Sequence, residues 1–404
     1  MLILLCEILH FVQNDNSIFF CKLIFFRNEI YKMSYPVKWN LEDILTFSYI
    51  KGVNSSLLRK AVENFSDLQE LSESGDKIFA DKINQYEIFN DIKSSVWASA
   101  REEAKRQIDY AVENSCSIVT LWDENYPELL RDIVLPPIIL YVKGKLQLKS
   151  TVSISMVGTR HCTMYGRLCA EKFAEYFARQ GIIVTSGLAS GIDTISHLSA
   201  IKVDGISYTI VAAGIDKINP QESVRNSQKI VDTGGAIVSE YKFGTMTQIG
   251  YFPQRNRIIS GISLATIIVE CGIKSGALIT AKFALDQQRE VFAVPGRIDS
   301  EKSKGTNLLI KNNAAAPALS PEQVLIDLGL AKPDSMLIEG NKPSLKLNVI
   351  EKAIYDLLSN EPLHIDEIAS STDYEINEIL VAMLEMEFKE IIRKLPGNYY
   401  IRKN

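Results

Sequence analysis

The sequence is short of several things that would mark other protein classes. It has six cysteines in 404 residues, Cys6, Cys21, Cys116, Cys162, Cys169 and Cys271, with no C-x-x-C pair and no histidine at zinc spacing. That pattern predicts neither a disulfide framework nor a structural metal, and it fits a reducing, cytoplasmic compartment. Basic charge is not in excess either, since 44 Lys and Arg against 49 Asp and Glu leave a formal net charge of -5. Any site for a polyanion must therefore be a local patch. Two apolar runs near the start, Leu2 to Val12 and Ile18 to Phe26, are separated by Asn14-Asp15-Asn16 and interrupted by Glu7 and Lys22. Neither reaches the roughly 20 residues that cross a bilayer, and no Lys or Arg precedes Lys22 to serve as the basic leader of a secretory signal. Residues 1–32 are expected to be an upstream extension, with Met33 as the working start; the alternative is a short membrane-associating anchor. No membrane partner is expected.

What is present is the composition of an ordinary folded protein, 46% hydrophobic and 23% charged, in a chain long enough for two or three cores. Residues 33–115 read as a small helical domain, of helix-hairpin-helix or SAM-like type. Leu41, Ile44, Leu45, Phe47 and Ile50 keep a helical period, as do Leu57, Leu58, Ala61 and Val62, with Lys51-Gly52-Val53-Asn54 as the turn. Such a hairpin can meet phosphate through turn amides or act only as a packing unit. Residues 116–330 then alternate strand and helix. Val152 to Val157, Ile182 to Thr185, Tyr208 to Ala212, Ala236 to Ser239, Ala265 to Val269 and Glu290 to Val294 read as strands. Tyr165 to Gln180, Thr194 to Lys202, Ser223 to Asp232 and Ala277 to Gln288 read as helices. This α/β alternation predicts a Rossmann-like parallel sheet covered on both faces. Residues 331–347 read as a linker. Three helical stretches and a hairpin at Leu395-Pro396-Gly397-Asn398-Tyr399 outline a winged helix over 348–404.

The candidate functional residues follow the strands. Gly158-Thr159-Arg160 offers close backbone approach and a forked donor. Ser186-Gly187-Leu188-Ala189-Ser190-Gly191-Ile192-Asp193 has two glycines four apart, two hydroxyls and an Asp suited to N-capping, and could form a phosphate cradle. Phe252-Pro253-Gln254-Arg255-Asn256-Arg257 brings two arginines around an amide. Ser275 and Gly276, with Thr280, open a helix after another strand. Residues 251–311 hold nine Lys and Arg against five Asp and Glu, a local excess of four. Each signal has a plainer reading: glycine loops can be tight turns, and Arg255 and Arg257 can be surface ion pairs. His197 reads better as a packed side chain than as a general base, and Glu270 as a loop anchor rather than a catalytic acid. No metal ligand set and no cofactor is expected.

Taken in order, Val157-Gly158-Thr159-Arg160, Tyr165-Gly166, Ser186-Gly187-Leu188-Ala189 with Gly191-Ile192-Asp193 and His197, Phe252-Pro253 with Arg255-Asn256-Arg257-Ile258-Ile259-Ser260-Gly261, Ser275-Gly276-Ala277-Leu278-Ile279-Thr280-Ala281 and Arg289 to Gly296 resemble the DprA/Smf family over roughly residues 120–330. The resemblance implies a non-catalytic protein of natural transformation that binds and protects single-stranded DNA, forms a homodimer through the Rossmann-like domain and loads the RecA recombinase. It also implies DNA contacts at Gly158, Thr159, Arg160, Ser186, Gly187, Gly191, Arg255, Asn256, Arg257, Ser275, Gly276 and Thr280, with Arg160 as the phosphate-binding arginine. Two segments depart from the family pattern. Asn219-Pro220-Gln221 stands where Tyr-Pro and a basic residue are usual, which puts one DNA contact in doubt. Gly52-Val53-Asn54 replaces Gly-Val-Gly, which weakens any contact of the first hairpin with DNA.

The competing reading is a nucleotide-binding Rossmann enzyme such as a nucleoside monophosphate phosphoribohydrolase, but the Pro-Gly-Gly-x-Gly-Thr-x-x-Glu signature of those enzymes is absent. A dinucleotide oxidoreductase lacks its G-x-G-x-x-G spacing. In the winged-helix segment, residues 346–404 hold seven Lys and Arg against eleven Asp and Glu. Its would-be recognition helix, Tyr374 to Glu390, carries five acids and only Lys389 as a base. Phosphates would repel it, so that segment is expected to contact protein, or to regulate the chain itself, rather than read a duplex.

Overall fold

Several helices of this chain begin where a polar side chain takes up a free backbone amide, the first two among them. The computed structural model describes residues 39–71, 95–147, 151–331, 347–359, 361–389 and 391–402. The expected N-terminal extension, and all but the ends of the expected linker, lie outside them. Asn40 accepts from the Asp43 amide before α1 (Leu41–Ser48), and Asn54 accepts from Leu57 before α2 (Ser55–Asn64). Each such cap is worth about 1 kcal/mol. The turn between them therefore has a structural job: Gly52 supplies a φ of 95° and Asn54 the cap.

These helices do not stand apart from the sheet. With α3 (Ser95–Glu113) they belong to one continuous apolar cluster that includes Leu140, Val142, Ile210 and Val238. Polar contacts reinforce it: the hydroxyls of Tyr49 and Tyr141 meet at 2.6 Å, Gln107 exchanges two hydrogen bonds with the Phe243 backbone, and Lys242 pairs with Glu103 at 2.6 Å. The described residues of that helical segment, 39–71 and 95–113, thus pack against the sheet within one compact unit that runs to Ala331.

The strands of this unit are β1 (Cys116–Thr120), β2 (Ile139–Gly144), β3 (Ser153–Val157), β4 (Ile183–Ser186), β5 (Ser207–Ile210), β6 (Ala236–Ser239), β7 (Ala265–Ile268), β8 (Glu290–Ala293) and β9 (Ala316–Pro317). They form one sheet in the order β1-β2-β6-β5-β4-β3-β7-β8-β9. From β6 through β9 every pairing is parallel, as the alternation predicts, and β3 to β7 are buried along their whole length. At one edge β2 runs antiparallel to β6 and β1 antiparallel to β2. No long helix crosses over between β1 and β2, only α4 (Glu128–Arg131), so those strands are free to turn back.

The crossover helices are α5 (Met164–Arg179), α6 (Ile192–Lys202), α7 (Gln221–Asp232), α8 (Tyr251–Gly261) and α9 (Ala277–Asp286), followed by α10 (Lys304–Lys311) and α11 (Pro321–Asp327). The Asn219–Pro220 bond before α7 is cis.

The second unit contains α12 (Val349–Leu357), β10 (Leu363–His364), α13 (Ile365–Ser370), α14 (Ile376–Phe388), β11 (Ile392–Leu395) and β12 (Tyr399–Arg402), with sheet order β10-β12-β11. This is the winged-helix outline. Gly397 and Asn398 turn the wing with φ of 81° and 57°, the left-handed values these two residue types tolerate best. Ile354, Ile368, Ile379, Met383, Met386 and Ile392 fill its core. Among the described residues no helix is long and apolar enough to cross a membrane.

Candidate functional site

Ligands of open parallel sheets bind beyond the carboxyl ends of the strands, at the crevice where chain order reverses. Here the reversal lies between β3 and β7, and the loops after those strands close it. The Thr159 amide donates to the Glu270 carbonyl at 2.7 Å. The buried Glu270 carboxylate accepts from the Thr163 amide at 2.7 Å and from the Thr163 hydroxyl at 2.5 Å. A Cβ on Gly166 would strike the same carboxylate. Glu270 is a loop anchor, the plainer of its two expected roles.

The next loop, after β4, is closed by an acid as well. Asp193 sits in the first turn of α6, whose N-cap is Gly191, so it is not the cap the sequence suggests. The backbone amides of Gly158, Gly187 and Ala189 instead favour the charged form of its carboxylate. Burial raises its pKa, and the Arg255 charge and those three amides pull the other way. The expected phosphate cradle is therefore already faced by a carboxyl group of the protein itself.

The glycines and hydroxyls of the cradle have internal partners too. The Ser186 hydroxyl is fully buried and donates to the Met156 carbonyl at 2.5 Å. A side chain at Gly158 would meet Ile192 at 2.5 Å, one at Gly187 would run into the Arg255 guanidinium, and Gly191, at φ 84°, packs on the carbonyls of Thr159 and Arg160. The three glycines let neighbouring loops touch, which is a tighter requirement than leaving space for a ligand.

The segment expected as a basic loop is the start of α8. Helical spacing puts Arg255 on the same inward face as Ile258 and Ile259, at i, i+3 and i+4. Arg255 is only 5% exposed; its Nη1 donates to the Gly187 carbonyl at 2.6 Å and to the Ile210 carbonyl. Burial lowers its pKa to about 10, with Asp193 opposing the shift. Arg257 is held by Glu240 at 2.5 Å, with 15% of its side chain exposed. The structure thus places Arg255 as a core cation and Arg257 as an ion-paired one, and brings neither to the rim as an unpaired charge. Asn256 lies between them, half-buried. Arg289, also counted in the local basic excess, donates to the Leu129 carbonyl at 2.6 Å.

His197 is fully buried, as its packed reading predicts. Ser207 Oγ donates to the Val184 carbonyl at 2.6 Å, so the His197 Nδ1 at 2.7 Å from that oxygen carries the ring proton. Burial, with Arg255 adding to it, lowers the imidazole pKa to about 3.

The outer rim is left to a different set. Arg160 is exposed and, among the described residues, makes no ion pair; its guanidinium lies over the Phe252 ring, 5.8 Å from the centroid. Tyr241 and Tyr251 stack at 4.1 Å with 20° between their planes, and the Tyr241 hydroxyl donates to Gln254 at 3.1 Å. Ser190 is exposed on the neighbouring loop. At the start of α9, Gly276 is exposed with open space around it, Ser275 is half-buried and Thr280 is buried. Sequence reading missed the aromatic component. The signal was the run Tyr241, Tyr251, Phe252 beside the arginines, which draw attention first because of their charge. No group of His, Cys, Asp and Glu arranged to hold a metal occurs among the described residues.

The family model for DNA recombination-mediator protein A matches residues 117–329, and that of the DprA winged helix domain matches 341–398. Protein Smf of Escherichia coli (strain K12) is 34% identical over 285 residues, which cover 68% of this chain and 75% of that protein. DNA processing protein DprA of Bacillus subtilis (strain 168) is 38% identical over 205 residues, 50% of this chain and 69% of the relative. The X-ray structure of DNA processing protein A (DprA) from Streptococcus pneumoniae superposes with a TM-score of 0.58 at 26% identity, covering 71% of this chain and 98% of that one.

Proposed function

Because the chain belongs to the DprA/Smf family of DNA recombination mediators, we propose that it binds single-stranded DNA along the outer rim of its sheet and hands that strand to the RecA recombinase. The observation that carries this reading is the Arg160 guanidinium over the exposed Phe252 ring. A cation and an aromatic face side by side can take a phosphate and the base next to it, whatever that base is. A rim suits an extended, flexible polyanion, and the filled crevice beneath it gives a free nucleotide no cradle. That counts against the nucleotide-enzyme reading, which finding free base after incubation with nucleoside monophosphates would revive.

The rest of the reading concerns what happens to the bound strand. The protein would protect incoming DNA during natural transformation, in the cytoplasm, as a homodimer formed through the Rossmann-like unit. Exposed apolar side chains at Ile279 and Leu285 on α9 and Leu308 on α10 support a partner surface there. Of the residues first expected to touch DNA, Arg160 remains the phosphate contact, with Thr159, Asn256, Ser275 and Gly276 as candidate neighbours. Gly158, Ser186, Gly187, Gly191, Arg255, Arg257 and Thr280 act by shaping the rim from inside.

The test is a gel shift with single- and double-stranded oligonucleotides across a salt series. The native chain should prefer the single strand. Arg160→Ala should weaken binding about tenfold and reduce the salt slope by about 0.7, the value for one phosphate contact on a single strand. Phe252→Ala should weaken binding by a similar factor and leave the slope unchanged. Native affinity and slope in both variants would move the site elsewhere.

A further inference from the structure

In α14 of the winged-helix unit, apolar residues face two ways. Ile379, Ala382, Met383 and Met386 fall at i, i+3, i+4 and i+7 and are buried in the unit's core. Leu380, Val381, Leu384 and Phe388 fall on the opposite side and are 44%, 60%, 55% and 81% exposed. A surface helix ordinarily shows polar residues there, and a helix apolar on both sides is ordinarily covered on both. The outward stripe runs at i, i+4 and i+8 through Leu380, Leu384 and Phe388, the row that packs into the grooves of another helix.

The borders of the stripe say what kind of helix that is. With 3.6 residues per turn, Glu378 and Glu385 lie along one side of the stripe and Glu387 along the other. The one base on this stretch, Lys389, is tied to the buried carboxylate of Glu351 at 2.5 Å. The stripe is thus apolar in the middle and negative at both edges. A second copy of the same helix, paired by a twofold axis, would set its acids against these acids. A nucleic acid would meet the same repulsion.

We propose that this outward face of α14 is a docking surface for a protein partner, one that offers an amphipathic helix whose apolar stripe is bordered by Lys and Arg. This rests on the winged-helix fold and its side-chain placement, and is independent of where the first unit binds DNA. Leucines on the partner would lie between Leu380, Leu384 and Phe388, and its cations would reach Glu378, Glu385 and Glu387 from the two sides.

The probe is a fluorescein-labelled synthetic helix of leucine and lysine with that pattern, titrated with the full chain and followed by anisotropy. A leucine and glutamate helix and a shuffled leucine and lysine sequence are the controls. The patterned basic helix should bind, and both controls should bind at least about tenfold more weakly. Leu380→Ser with Leu384→Ser, two exposed positions that leave the core and every charge in place, should lose about tenfold in affinity. Glu385→Gln with Glu387→Gln should lose severalfold, more at low salt than at high salt. Arg160→Ala, which should impair DNA binding, should leave this titration unchanged. The proposal is overturned if the serine variant binds the probe like the native chain, or if the shuffled sequence binds equally well. It is overturned as well if sedimentation shows that the serine substitutions split a dimer, because the stripe would then belong to a second copy.

Discussion

Replacing Arg255 by alanine separates a structural arginine from a DNA-contacting one. The side chain is buried, its Nη1 serves the carbonyls of Gly187 and Ile210, and its charge offsets that of the buried Asp193. Its removal leaves two buried carbonyls without that donor, at about 1 to 3 kcal/mol each, and withdraws the charge that favours the Asp193 carboxylate. Against a typical domain stability of about 5 to 15 kcal/mol, that is a large fraction. The three tryptophans, Trp39, Trp97 and Trp122, all lie in the sheet-containing unit, so fluorescence during urea unfolding reports on that unit alone. Arg255→Ala should lower its stability by about 4 kcal/mol or prevent folding, and Arg255→Ala with Asp193→Asn should recover part of the loss.

The pH dependence gives the loss a direction. Without Arg255, the pKa of Asp193 rises further above its unfolded value, so the folded variant holds a proton that the unfolded chain releases. That proton stabilises the variant at low pH, and the benefit disappears as pH rises from about 4 through the raised pKa of the folded state. The gap between variant and native protein should therefore be smaller at pH 5 than at pH 8. A variant that unfolds like the native chain but no longer binds single strands would refute this assignment and return Arg255 to the DNA contacts.

Two further outcomes follow from the same neighbourhood. His197 stays neutral when folded, with a pKa of about 3, while the unfolded imidazole takes up a proton below about 6.5. Stability should therefore fall by about 1.4 kcal/mol per pH unit on acidification through that window; His197→Gln should flatten the fall seen in tryptophan fluorescence between pH 6.5 and 4, and an unchanged slope would place the acid-sensitive group elsewhere. Among the glycines, Gly187→Ala would drive a methyl group into the Arg255 guanidinium, whereas Gly276→Ala meets open space. The first should cost about 1 to 3 kcal/mol in urea unfolding and the second less than about 1, and similar costs at both would remove the packing argument.

Motif order alone was enough to locate the strand-end loops and the winged helix, because glycine spacing and hydrophobic period are local properties. It could not tell which way a side chain points. Arg255 and Arg257 are two residues apart and look equivalent as charges, but the α8 periodicity turns one into the core and leaves the other beside Glu240. Asp193 looked like a cap for its own helix, and the amides that favour its charge lie on the loops after β3 and β4, a long-range arrangement that no local pattern encodes. The reversed edge strands escape a local reading for a similar reason: their direction follows from the connection over residues 121–138, which holds only the four-residue α4 and no crossover helix.

The carboxylate of Asp193 carries one last consequence, for selectivity. Under the proposed reading, loops that close over the protein's own carboxyl group should take up no free mononucleotide, whose concentration should then have little effect on strand binding. The proposed rim would favour a strand long enough to touch several points of the surface at once, since a lone phosphate gains little from any single one, so affinity should grow with oligonucleotide length rather than depend on a terminal group.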